Sequence, residues 1–152
     1  EISECLVGSE MCIRDRYMIY QARTLGASAI LLICSLLSQS ELEEYQAIAT
    51  ELGMSALVEA HDEQEVEMAL RAEASIIGVN NRDLKTFTVD INNSARYRKM
   101  VPKEVSFVSE SGIKTAEDIA KLLENGTDAV LIGETLMRSE NKKQALDELR
   151  GM

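Results

Sequence analysis

Tryptophan is absent from the 152-residue sequence, histidine and proline occur once each, and cysteine occurs three times. A lone histidine excludes the histidine-rich metal sites. Cys5, Cys12 and Cys34 form no C-x-x-C pair. An odd count without such a pair fits neither a disulfide framework nor a zinc site, and a reduced, cytoplasmic setting is the simplest reading. Basic residues are also scarce, 16 against 26 acidic, for a net charge of -10 and a pI near 4.6. Nucleic acid and anionic membranes demand clustered Lys and Arg, so neither is an expected partner. A small phosphate ester remains open, because backbone N–H groups at a helix N-terminus bind phosphate without side-chain charge. No apolar run reaches the roughly 18 residues that a membrane span needs.

What is present is an ordinary globular composition, 45% hydrophobic and 28% charged, in a chain long enough for one domain with a real core. Residues 1–16 (EISECLVGSEMCIRDR) show neither helical nor strand periodicity and begin on Glu1 rather than Met. They lack the charged start and long apolar centre of a signal peptide. They are expected to be a non-native or disordered extension, with the domain occupying residues 17–152.

From Tyr17 onward short apolar runs alternate with amphipathic stretches. The runs are 29–34 (AILLIC), 56–59 (ALVE), 75–79 (SIIGV), 105–108 (VSFV) and 129–132 (AVLI). Continuous rather than alternating apolarity marks parallel strands covered on both faces. The stretches between them carry helix punctuation. Asp62 precedes Glu65, and Thr115 precedes Asp118, at capping-box spacing. Gly53 and Gly126 suit the left-handed position beyond a helix end. Strand, loop, helix in repetition implies right-handed crossovers and a parallel sheet. Five strands are too few to close a barrel of eight, so the choice lies between an open doubly wound sheet and a portion of a barrel. The acidic runs 41–44 and 63–67 read as solvated helix faces, and Met54, Met68 and Met137 as packing residues.

In either architecture chemistry gathers at the C-terminal ends of the strands. The second strand ends in Glu59, whose carboxylate at the mouth of an apolar site would have a raised pKa suited to acid/base work. The alternative is a carboxylate that pairs with Arg82 or caps the next helix. The third ends in Asn80, Asn81, Arg82 and Asp83. Asn80 and Arg82 suit substrate orientation, or the four form a turn tied by Asx hydrogen bonds and an Arg–Asp pair. The fourth ends in Ser111-Gly112 and the fifth in Gly133-Glu134. Glycines at two corresponding strand ends allow a phosphate to approach the backbone. His61, next to Asp62, reads as a loop residue that is exposed or bonded to backbone.

These motifs resemble indole-3-glycerol-phosphate synthase in order and spacing. The matching pieces are ILLICSLLSQSELEEY, ELGMSALVEAHDEQEVEMAL, IIGVNNRDLKTFTVD, VSESGIKTAEDIAKL and DAVLIGETLMRS, together spanning about residues 17–152. The resemblance implies a (β/α)8 TIM barrel, of which these are strands four to eight. It implies ring closure with loss of CO2 and water from 1-(o-carboxyphenylamino)-1-deoxyribulose 5-phosphate, a small-molecule phosphate ester, with no metal and no organic cofactor. By it Glu59 is the acid/base glutamate and Asn80 positions the reacting atoms. Arg82 supports them. Ser111, Gly112, Gly133 and Glu134 bind the phosphate, Glu134 through its backbone N–H, and Leu31 and Leu84 line an apolar pocket for the aromatic ring.

One departure stands out. The family carries a catalytic lysine at the end of the third strand, and further Glu and Lys on the first. Before Tyr17 this chain has CLVGSEMCIRDR, and neither Arg14 nor Arg16 replaces a lysine acid, because guanidinium hardly releases its proton. The polypeptide alone is therefore expected to lack appreciable synthase activity, and its open sheet edges to favour self-association. Two other readings stand beside this one: a different phosphate-binding barrel such as phosphoribosylanthranilate isomerase, and a non-catalytic part-barrel that binds a phosphate ester.

Overall fold

A computed structural model describes residues 13–83 and 86–151. Among them lie five strands: β1 (Ala29–Ile33), β2 (Ser55–Ala60), β3 (Ile76–Asn80), β4 (Ser106–Glu110) and β5 (Ala129–Leu131). They follow sequence order in a parallel sheet and alternate with the helices α1 (Arg16–Thr24), α2 (Gln39–Glu51), α3 (Glu63–Arg71), α4 (Asn92–Tyr97), α5 (Ala116–Glu124), α6 (Glu134–Arg138) and α7 (Lys142–Leu149). The fold is a partial (β/α)8 barrel. Two compact units divide between Ile77 and Gly78.

In the first unit β1 and β2 pair in register from Ala29 opposite Ser55 to Ile33 opposite Glu59. Ile19 of α1, Leu32 of β1, Leu42 of α2, Val58 of β2 and Val66 of α3 are fully buried. Each such side chain contributes about 1.5–3 kcal/mol through removal from water. Ile13 is buried too. The Asp15 carboxylate accepts the Met18 N–H at 3.0 Å as the cap of α1, and the Tyr45 hydroxyl donates to the Arg14 carbonyl at 3.2 Å. Residues 13–16, on the extension's side of the boundary drawn at Tyr17, thus make contacts with the described domain, and residues 1–12 lie outside those described.

In the second unit β4 and β5 pair from Val108 opposite Ala129 to Glu110 opposite Leu131. Val79 and Phe107 are fully buried, and Ile113 and Leu122 nearly so. Thr115 and Asp118 complete the expected capping box at the start of α5. Gly53 and Gly126 both take positive φ at the expected helix ends. Along β5 burial is weaker, with Ala129 exposed and Val130 and Leu131 half-buried. Met137, expected to be a packing residue, is 72% exposed on the short α6, which has no buried residue. No helix among the described residues is long and apolar enough to cross a membrane.

Candidate active site

In the first unit the chain leaves β2 through Glu59, Ala60 and His61 and enters α3 at once. Asp62 caps α3, its Oδ1 accepting the Glu65 N–H at 2.9 Å. In a capping box the Glu65 carboxylate would return to the N–H of Asp62. It reaches one residue further back instead, accepting the His61 N–H at 2.8 Å and facing His61 Nδ1 at 3.0 Å. On the other side of the ring, Nε2 stands 3.0 Å from Glu59 Oε1, an ion-pair distance without well-aimed hydrogen-bond geometry. His61 is thus neither exposed nor tied only to backbone: a half-buried imidazole lies between two carboxylates. Contact with Glu59, then with Glu65, raises its pKa to about 10 against the opposing effect of burial. Glu59 itself is 6% exposed, at the strand end expected from the sequence.

Cys34 follows β1, buried, its thiol 3.6 Å from the Glu65 carbonyl. Burial first, then the Glu65 carboxylate, push the thiol up to about 12. It stays protonated and is no nucleophile. Leu31 is half-buried in β1, opposite Leu57.

The second unit holds a cavity of about 630 Å³ at the ends of β4 and β5. Arg82, Ser111, Gly112, Gly133 and Glu134 all line it, so five residues named from the sequence share one space. Asn80 does not line the cavity; its side-chain carbonyl accepts the Arg82 N–H at 3.0 Å. That is the Asx turn anticipated for N-N-R-D. The anticipated internal Arg–Asp pair gives way to another partner: the Arg82 guanidinium meets the carboxylate of Glu134, which Arg138 also holds at 3.0 Å. Asp83 serves the loop, its Oδ1 accepting the Thr86 N–H at 2.8 Å. Leu84 lies outside the described residues.

Glu73, Phe87 and Ser111 are the non-glycine residues at positive φ among those described, and of the three only Ser111, on the lip it shares with Gly112, lines the cavity. Ser111 has φ +64° and Gly112 φ +81°. A non-glycine residue in the left-handed region is strained by about 1–2 kcal/mol, and such outliers cluster at ligand clamps. At Gly112 a Cβ would also lie 2.3 Å from Val89 Cγ1, so conformation and packing both require glycine there. Thr135 ties the neighbouring lip to this one, its hydroxyl donating to the Ile113 carbonyl at 2.7 Å.

Lys114 and Arg138 also line the cavity. With Arg82 they set three cations against the Glu134 carboxylate, among the described residues, in a chain of net charge -10. An anion is what such a lining suits. Lys114, Arg138, Thr135 and the His61 bridge were not anticipated from the sequence. Arg138 and His61 left a signal there in their spacing, each four positions from its partner carboxylate, Glu134 and Glu65. No group of three His, Cys, Asp or Glu among the described residues is placed to hold a metal ion.

Comparison with known proteins adds to this geometry. The sequence model of the family described as indole-3-glycerol phosphate synthase matches residues 3–149. An indole-3-glycerol phosphate synthase from Ruminiclostridium cellulolyticum is 58% identical over 137 residues, 90% of this chain and 53% of that protein. One from Endomicrobium trichonymphae is 55% identical over 138 residues, 91% of this chain and 54% of that protein. The chain therefore spans about half the length of the curated relatives it matches. Among solved structures, 3-hexulose-6-phosphate synthase from Salmonella typhimurium superposes with a TM-score of 0.77 at 14% identity, covering 91% of this chain and 68% of that one. At that identity the likeness speaks to fold alone.

Proposed function

The chain belongs to the indole-3-glycerol phosphate synthase family, and from that premise we propose that it supplies the acid/base glutamate and the phosphate cradle of this carboxy-lyase of tryptophan biosynthesis. The observation that carries the reading is the cationic cavity lined by Ser111, Gly112 and Gly133. Its lining suits the phosphate end of 1-(o-carboxyphenylamino)-1-deoxyribulose 5-phosphate. The Glu134 carboxylate is engaged by Arg82 and Arg138, which leaves its backbone N–H, rather than its charge, to face a phosphate.

In the reaction the substrate ketone carbon bonds to the aromatic ring, the ring carboxyl leaves as CO2, and the ketone oxygen leaves as water. That oxygen has to gain protons on the way out, and a buried carboxylate at a strand end is suited to relay them. Glu59 takes that role, with His61 beside it offsetting the charge of two adjacent carboxylates. Asn80 positions the reacting atoms, Arg82 supports them, and Leu31 contributes apolar surface for the aromatic ring.

The test joins residues 13–151 to the preceding part of the Ruminiclostridium cellulolyticum relative and assays the joined protein for indole-3-glycerol phosphate. Replacing Glu59→Gln is expected to lower kcat by about 10²–10⁴-fold, the range for loss of a general acid/base, with little change in KM. Replacing Gly133→Val is expected to do the reverse, raising KM by obstructing the cradle. A Glu59→Gln protein with kcat within about fivefold of the parent is too active for that acid/base role.

A further inference from the structure

The doublet Asn80-Asn81 places one side chain half-buried at the strand end and the other 1% exposed in the interior of the second unit. Asn81 uses its whole bonding capacity. Its Nδ2 donates to Ser109 Oγ at 3.0 Å and to the Ser111 carbonyl at 3.1 Å. Its Oδ1 accepts the Ser94 N–H at 3.2 Å and the Ser94 hydroxyl at 2.9 Å. Its backbone N–H donates to the Glu110 carbonyl, and its carbonyl accepts the Asp90 N–H, each at 2.9 Å. The two serine hydroxyls stand 2.7 Å apart. Two donors and two acceptor lone pairs on one short side chain are what a carboxamide provides and a carboxylate or hydroxyl does not.

One of these bonds reaches the cavity. The Ser111 carbonyl and the Gly112 N–H belong to one trans peptide unit, so they point in opposite directions. Holding that carbonyl inward against Asn81 turns the Gly112 N–H the other way. Both flanking residues are in the left-handed region, a conformation that persists only where its surroundings determine it. We propose that Asn81 is a positioning residue of the phosphate cradle: through the Ser111 carbonyl it fixes the strained lip and aims the Gly112 N–H at the anion. The inference rests on the phosphate reading of the cavity.

Inorganic phosphate titrated into the 152-residue chain, followed by calorimetry and by the Gly112 amide resonance, tests it. Four proteins suffice: the parent, Asn81→Ala, Asn81→Asp and Ser94→Ala. Ser94→Ala removes the hydroxyl that donates to Asn81 and leaves the Ser111 contact, so it controls for stability. Asn81→Asp is nearly isosteric. Both serine hydroxyls can turn to donate to the carboxylate, and only the Ser111 carbonyl loses its donor.

Asn81→Ala and Asn81→Asp are expected to weaken phosphate binding by about tenfold or more, the scale of one lost hydrogen bond to a charged group. Ser94→Ala should stay within about twofold of the parent while melting lower. Should Asn81→Ala fail to fold, Asn81→Asp decides the matter at about 0.5 M KCl, where its added charge is largely screened and a positional loss persists. Parental affinity in the Asn81 variants overturns the inference alone, as does an equal loss in Ser94→Ala. No phosphate binding by the parent overturns the phosphate reading, and this inference with it.

Discussion

Gly112 and Gly133 line the same cavity and should respond to alanine in opposite ways. Gly112 sits at φ +81° with Val89 already where a Cβ would go, so Gly112→Ala is expected to destabilise the chain by about 1–3 kcal/mol. A Cβ on Gly133 meets nothing within 4 Å. Gly133→Ala should therefore melt within a degree or two of the parent yet bind phosphate more weakly, because the added methyl occupies ligand space. Thermal melts and phosphate titrations of the two variants check this. A Gly112→Ala protein as stable as the parent would contradict the backbone account.

The contribution of His61 to stability depends on pH. Its folded pKa, about 10, lies above the ordinary histidine value of 6.5. A group raised on folding stabilises fully below its unfolded value and loses that contribution as pH rises through the folded one. The stability difference between the parent and His61→Gln should thus be widest below pH 6.5 and close as the pH approaches 10. Paired denaturant titrations across that window measure it; a difference that stays constant would show the imidazolium is not held by its two carboxylates.

Among the secondary elements, much of the fold was legible because parallel strands covered on both faces leave continuous apolar runs. All five runs became strands, and the Thr115–Asp118 spacing became a complete capping box. The Asp62–Glu65 spacing was equally regular but only half of it is used as expected, since Glu65 turns to His61. Spacing shows which bonds a helix start can make, and a competing donor nearby decides which it does make. Both caps should still be worth about 1 kcal/mol each, so Asp62→Ala and Thr115→Ala are expected to lower stability by similar amounts. Asp62→Ala should also narrow the His61 pH effect, because Asp62 anchors the turn that presents Glu65. Equal losses of stability with an unchanged pH profile would separate the cap from the bridge.

The Asn80-Asn81 doublet marks where legibility stopped. Successive strand residues point to opposite faces, and which asparagine is interior depends on Ser94, Ser109 and Ser111, which lie 13 to 30 positions away. Nothing local distinguishes the two. The same holds for Arg82, whose partner Glu134 is 52 positions distant, while Asp83 is adjacent.

For the whole molecule the central fact is proportion. Five strands of a barrel of eight are described, and the chain spans about half the length of its curated relatives. The cradle lining lies within the second unit and Glu59 within the first. The lysine and further charged residues that the family places on earlier strands have no counterpart among the five described strands. The most direct measurement is turnover of 1-(o-carboxyphenylamino)-1-deoxyribulose 5-phosphate by the 152-residue chain, side by side with residues 13–151 joined to the preceding strands of a relative. Indole-3-glycerol phosphate should form with the joined protein and not with the chain alone. Product from the isolated chain, or none from a joined protein that still binds phosphate, would contradict the proposed roles.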